Sequence, residues 1–198
     1  LRNGYFNEKS PYKPNSPYAA SKASSDHLVR SWNRTFDVPT IITNCSNNFG
    51  PWQFPEKLIP LTILNALCGK PITIYGNGEN IRDWIYVFDH ISGLISVAEK
   101  GEIGKTYCIG SQNNFTNNYI AKCICKNLDL LVPSKEPYSN LISYVPDRLG
   151  HDFRYAIDSN FIKNSIGWIS KYDFHESLKN TVSWYVKNQD WCSDLIKR

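Results

Sequence analysis

Methionine is absent from all 198 residues, position 1 included. A translated reading frame opens on methionine, so the expectation is a processed chain or a fragment. Long apolar runs are also absent. The most apolar stretch, residues 58–68, is broken by Pro60, Thr62 and Asn65 and is too short to span a bilayer. Residues 1–4 show no signal-peptide pattern of basic head and apolar core. None of the 6 cysteines (Cys45, Cys68, Cys108, Cys123, Cys125, Cys192) forms a Cys-x-x-Cys pair, which argues against a zinc site, and no other metal is expected. Gly76-Asn77-Gly78 has Ile81 where a dinucleotide fingerprint needs its third glycine. No basic run marks a nucleic-acid groove, and the net charge of +4 is mild, though it suits a small anionic substrate.

What is present reads as an ordinary globular chain, 41% hydrophobic and 20% charged, long enough to bury a core. Aromatic residues are plentiful, with 6 Trp, 12 Tyr and 9 Phe. The cysteines sit inside apolar patterns, as in Thr106-Tyr107-Cys108-Ile109, and read as buried reduced thiols of a cytoplasmic protein.

The chemistry concentrates in Ser16-Pro17-Tyr18-Ala19-Ala20-Ser21-Lys22. Ser16 suits an N-cap and Pro17 the first helical position. A helix over residues 16–36 then carries Tyr18 and Lys22 four apart, on one face. A phenol titrates roughly three units above neutrality. An ammonium beside it favours the phenolate, and such a pair can exchange a proton with a substrate hydroxyl. An isolated Tyr-x-x-x-Lys also arises as mere helix-surface neighbours. Leu28, Trp32 and Phe36 follow every four residues, a stripe that core or helix-partner packing explains.

Residues 40–45 read as a buried strand of a parallel sheet. Asn47, Asn48 and Gly50 follow at its carboxyl end, where open α/β sheets bind ligands, although asparagines there also serve simply as turn formers. A helix over 55–68 closes on Gly69, and residues 72–75 form a strand. Residues 82–87 form another, and Asp89 caps the helix after it. Arg82 offers a planar fork for two phosphate oxygens, or pairs locally with Asp83 or Glu79. Residues 106–110 form a strand, and Asn117 begins or caps a helix to about Leu130. Residues 131–146 read mostly as loop. Residues 147–158 hold two arginines, a glycine and His151 on a loop leading into a short strand. That loop either closes over a pyrophosphate or is simply solvated. Asp158 caps a helix ending before Gly167, residues 174–188 form the last clear helix, and residues 190–198 give little.

The run from Ser16 to Val29 resembles the active-site helix of the extended short-chain dehydrogenase/reductase superfamily. Together with Asn44-Cys45-Ser46-Asn47-Asn48-Phe49-Gly50-Pro51 and Pro55-Glu56-Lys57-Leu58-Ile59-Pro60, it is similar to the later part of the dTDP-glucose 4,6-dehydratase family. The resemblance implies an α/β fold, the later part of a Rossmann-like parallel sheet plus a smaller α/β substrate-binding domain. Residues 1–50 would end the NAD-binding domain, and 51–198 would mainly bind the nucleotide sugar, with 82–100 as candidates to return to the Rossmann part. Tyr18 would be the base at the sugar C4 hydroxyl. Lys22 would lower its pKa and hold the nicotinamide ribose, and Tyr18, Lys22 and Asn48 would contact NAD. Asn47, Lys57, Leu58, Thr73, Tyr75, Arg82, Asn117, Arg148 and His151 would line the site for a nucleotide-diphosphate sugar, dTDP-glucose. Thr73 and Leu149 stand where relatives often have proline. A homodimer would form through active-site helices.

The family's glycine-rich NAD cradle and its Asp-Glu elimination pair are not among these residues. The expectation is therefore a C-terminal piece, inactive alone, holding NAD weakly and poorly soluble. A UDP-sugar 4-epimerase or decarboxylase of the same superfamily, or a non-catalytic nucleotide-binding or dimerisation remnant, stays open as an alternative.

Overall fold

The computed structural model describes residues 3–150 and 152–196. A loop whose Phe6 bridges Ile157 leads into α1, Pro17–Phe36. Ser16 caps this helix by accepting from Ala19 N at 3.1 Å, and Asp37 ends it in the left-handed region at φ 53°. Then follow β1 (Ile42–Cys45), β2 (Asn47–Phe49), α2 (Leu58–Leu67), β3 (Ile72–Tyr75), β4 (Ile81–Tyr86), α3 (Val87–Lys100) and β5 (Thr106–Ile109). The chain continues through β6 (Asn114–Thr116), α4 (Asn117–Leu131), a 3-10 turn (Tyr138–Leu141), β7 (Ile142–Val145) and β8 (Arg154–Tyr155). It closes with α5 (Asn160–Ile166), α6 (Phe174–Lys187) and α7 (Gln189–Ile196).

The architecture is α/β with mostly parallel pairing, as expected. β1 pairs with β5, Ile42 opposite Thr106 through Cys45 opposite Ile109. β4 lies between β2 and β6 and also pairs with β8; only β6 runs antiparallel to it. β3 pairs with β7.

β4 ties two apolar clusters together. Successive side chains of a strand point to opposite faces. Trp84 and Tyr86 accordingly enter one cluster, with Ile63 of α2, Ile124 and Leu128 of α4 and Leu178 and Tyr185 of α6. Ile85 enters the other, with Val97, Tyr107, Ile109, Ile162 and Trp168. Each fully buried aliphatic or aromatic side chain contributes about 1.5–3 kcal/mol of transfer energy. The strand that carries Arg82 is thus anchored from both sides.

Several expectations change. Residues 131–146 are not mainly loop: Ile142–Val145 become a strand because β3 supplies backbone partners. Asn47 and Asn48 are not turn formers: β4 draws them into β2, opposite Trp84 and Ile85. Asp89 does not cap α3, which begins two residues earlier. Its buried carboxylate instead accepts from the backbone N–H groups of Lys171 (2.9 Å) and Tyr172 (3.1 Å), tying the segment before α6 to α3. Thr116 caps α4, so Asn117 is its first residue, and Ser159 rather than Asp158 precedes α5. Residues 189–196 form a helix. The α1 stripe is not core: Leu28, Trp32 and Phe36 are 61%, 55% and 64% exposed, and Ala23 alone on that helix is buried. No helix among the described residues is long and apolar enough to cross a membrane.

All six cysteines are free thiols, and Cys108, Cys125 and Cys192 are buried while Cys68 is exposed. Burial pushes the Cys125 thiol up to about 11 and moves Cys108 and Cys192 in the same direction. The thiolate is the nucleophile. Iodoacetamide at pH 8 is therefore expected to label Cys68 first and leave these three protected until unfolding, as read by peptide mass spectrometry. Because their folded pKa values are raised, the stability they contribute is complete below the unfolded value near ~8.5 and is lost as pH rises toward the folded values. Urea midpoints should fall between pH 8 and 10.5.

Candidate active site

The N-terminus of α1 presents Tyr18, 76% exposed, one turn before Lys22. The positive charge of Lys22 reaches Cys45 at the carboxyl end of β1. Burial nevertheless dominates there and pushes that thiol up. Asn48 donates from Nδ2 to Cys45 Sγ at 3.3 Å and to the Ser46 carbonyl at 3.2 Å. Its Oδ1 is buried without a partner, as is the Ser46 hydroxyl. Buried polar atoms are normally satisfied, so these two fit a ligand that brings its own donors. Strand alternation sends Asn47 to the opposite face of β2. Gly50, just beyond, has φ 148°, and a Cβ there would lie 2.6 Å from Val87 Cγ1. This strand end closes tightly on α3 only with glycine.

The second cluster is charged and centres on Arg82. The guanidinium of Arg82 donates to the carbonyls of Ile81 (2.8 Å), Phe153 (3.4 Å) and Asp152 (2.6 Å). Neither Asp83 nor Glu79 is its ion-pair partner, so the local pairing considered from sequence does not form. Asp83 instead turns into the interior, where burial raises its pKa and Ser111 Oγ donates to it at 3.2 Å. Burial lowers the pKa of Arg82, the carboxylate of Asp152 opposes that shift, and the nearby Arg148 charge adds to it. Arg148 stacks over the ring of Tyr75, 4.8 Å from its centroid. The Asp147 carboxylate also acts on Arg82, so two carboxylates and two guanidinium groups share this end of β4. Gly150 carries the loop of Arg148 against the start of α1: a Cβ on it would lie 3.3 Å from the Asn15 carbonyl.

The expected residues therefore fall into groups. Asn48 bonds to Cys45, which also feels the Lys22 charge; Arg148 stacks on Tyr75, and Arg82, which feels the Arg148 charge, is bonded to Asp152 and Phe153. Thr73 shares the outward face of β3 with Tyr75. Asn117 is buried at the start of α4, its N–H bonded to Asn80 O at 3.1 Å, and Asn80 Nδ2 reaches the Asp152 carbonyl at 3.3 Å. Lys57 pairs at 2.9 Å with Glu56 in solvent, and Leu58 packs on the core. His151 lies outside the described residues. Sequence reasoning missed Tyr155, which joins the two groups. It pairs with Arg82 across β8 and β4, and its half-buried hydroxyl donates to the Cys45 carbonyl at 3.0 Å. Its only sequence signal is an aromatic residue in a short strand.

A Tyr-x-x-x-Lys helix beside the carboxyl ends of parallel strands, with an arginine-bearing loop against its N-terminus, defines the class: an extended short-chain dehydrogenase/reductase. The chain belongs to the GDP-mannose 4,6 dehydratase family, whose sequence profile matches residues 1–181. It is 54% identical over 190 residues to dTDP-glucose 4,6-dehydratase of Escherichia coli, covering 94% of this chain and 52% of that protein. The same enzyme of Neisseria meningitidis serogroup B is 51% identical over 195 residues, with 96% and 55% covered. The chain spans about half the length of the curated relatives it matches. Among solved structures, DesIV of Streptomyces venezuelae, a dTDP-glucose 4,6-dehydratase with NAD and TYD bound, gives a TM-score of 0.91 at 39% identity, covering 98% of this chain and 58% of that one. UDP-glucuronic acid 4-epimerase of Bacillus cereus shares the fold, with a TM-score of 0.83 at 22% identity over 93% of this chain and 57% of that one.

Proposed function

We propose that this chain carries the nucleotide-sugar grip and the proton-transfer pair of a dTDP-glucose 4,6-dehydratase, a hydro-lyase. The observation that carries the reading is the arginine pair, Arg82 on β4 and Arg148 on a loop that abuts the start of the helix bearing Tyr18 and Lys22. The arginines hold the diphosphate, the Tyr75 ring flanks it, and Asn117 and Thr73 face the nucleoside side. Asn47 reads the sugar. Tyr18 Oη takes the proton of the C4 hydroxyl, and Lys22 stabilises the phenolate that does so. Bound NAD supplies the hydride acceptor and donor. Tyr18, Lys22 and Asn48 would contact it, and the unpartnered Asn48 Oδ1 suits a carboxamide donor. Residues 1–50 belong to the cofactor side and most of 51–198 to the substrate side.

The exposed stripe of Leu28, Trp32 and Phe36 supports a homodimer, and six free thiols suit a reducing, cytoplasmic setting. Titration calorimetry tests the reading. Saturable binding of dTDP-glucose is expected, at least tenfold tighter than GDP-mannose and displaced by dTDP. Any preparation that turns the sugar over should lose ~10²–10⁴ in rate with Tyr18→Phe while binding stays within twofold. Absence of saturable dTDP-glucose binding overturns the reading.

A further inference from the structure

A polar link through Gln53 joins the strand-end asparagines to the C-terminal helices. The turn after β2 is held by α6 and α7. Trp52, at φ 66°, packs on Trp184 with ring centroids 4.8 Å apart and on Trp191 at 5.2 Å. Such a φ strains a bulky side chain, so the indole contacts must stabilise it. One residue on, the fully buried Tyr185 of α6 donates its hydroxyl to the Gln53 carbonyl at 2.6 Å. Gln53 in turn donates from Nε2 to the Asn48 carbonyl at 2.9 Å. Its Oε1 is buried without a partner. The reverse amide orientation would set two carbonyl oxygens against each other, so the donor direction is fixed. An acceptor left unsatisfied is costly, and here it accompanies a single retained donor bond.

We propose that Gln53 is a positioning residue: with its backbone carbonyl held by Tyr185, its side-chain amide holds the Asn48 carbonyl and sets the direction in which Asn47 and Asn48 face their ligands. The inference rests on the nucleotide-sugar reading above for its binding consequence, but not for its structural one. The arginine cluster that grips the diphosphate lies on other elements, β4 and the 147–153 loop. Loss of Gln53 should therefore remove sugar discrimination and leave nucleotide affinity intact.

Two measurements on the full chain test this. In titration calorimetry, the ratio of dTDP-glucose to dTDP affinity should fall about tenfold in Gln53→Leu, which keeps bulk but not the donor. The dTDP affinity alone should stay within twofold. Gln53→His, which keeps a ring N–H, should retain most of the ratio. Independently of any ligand, amide hydrogen exchange over residues 47–50 should quicken at least tenfold in Gln53→Leu, with β4 and α6 unchanged. Unchanged exchange over 47–50 overturns the proposal, and so does a parallel fall in affinity for both ligands. A wild-type chain that binds neither ligand, while Gln53→Leu still loosens residues 47–50, would count against the nucleotide-sugar reading and in favour of the link.

Discussion

Arg82→Ala is expected to weaken dTDP binding by about 150-fold, the equivalent of ~3 kcal/mol from two charge-assisted hydrogen bonds. Three guanidinium contacts go to the carbonyls of Ile81, Asp152 and Phe153. A guanidinium has five N–H donors, so donors remain for an anion. The carbonyl bonds fix the fork before any ligand arrives, which lowers the ordering cost of binding. The substitution removes those bonds as well, freeing the loop that carries Arg148. Arg82→Lys restores the charge but not the planar fork, and should recover only about tenfold. Arg34→Ala, on the far part of α1, should change nothing. Calorimetry at two salt concentrations checks the electrostatic origin, since affinity of the wild type should fall with salt more steeply than that of Arg82→Ala. An Arg82→Ala chain that binds dTDP within threefold of wild type would remove this residue from the site.

Phe174→Ala should destabilise the fold by about 3–5 kcal/mol, a large share of a typical domain's stability. The ring is buried where three elements meet: 5.4 Å from Phe49 at the end of β2, 4.5 Å from Phe115 in β6, and beside His175 on its own helix. Deleting it leaves a cavity that rigid sheet neighbours cannot fill. Urea denaturation should show a lower midpoint with an unchanged slope, and the melting temperature should drop by about 10 °C. Leu149→Ala is the matched control. That leucine is 101% exposed, so its loss should stay within about 0.5 kcal/mol. Because Phe49 follows Asn48 directly, the cavity should also loosen the asparagine pair, whereas Leu149→Ala should leave it fixed.

The parts legible in the sequence were those set by neighbours in the chain. Ser16 and Pro17 announce α1 because capping needs only a side chain and an N–H three residues apart. Ile72–Tyr75 and Thr106–Ile109 announce themselves by β-branched and aromatic content between turn residues. Ile142–Val145 did not, because the prolines around it read as loop and only pairing with β3, some 70 residues earlier, makes it a strand. Asparagine has little strand preference, so Asn47 and Asn48 read as ligand-facing residues or turn formers beyond a strand, and only β4 makes them a strand themselves.

The residue types of the site, Tyr18, Lys22, the asparagines and the arginines, were fixed by the chain order alone, since resemblance and chemical type need no coordinates. Which of them meet was decided only in three dimensions. Arg82 passes over Asp83, the carboxylate next to it, for carbonyls 70 and 71 residues away, because strand alternation buries that carboxylate on the other face. Tyr155 and Gln53 acquire their roles the same way, through partners distant in sequence or held in place by a distant helix. Local propensity acts over a few residues, while hydrogen bonds and packing choose among all surfaces that the fold brings within reach.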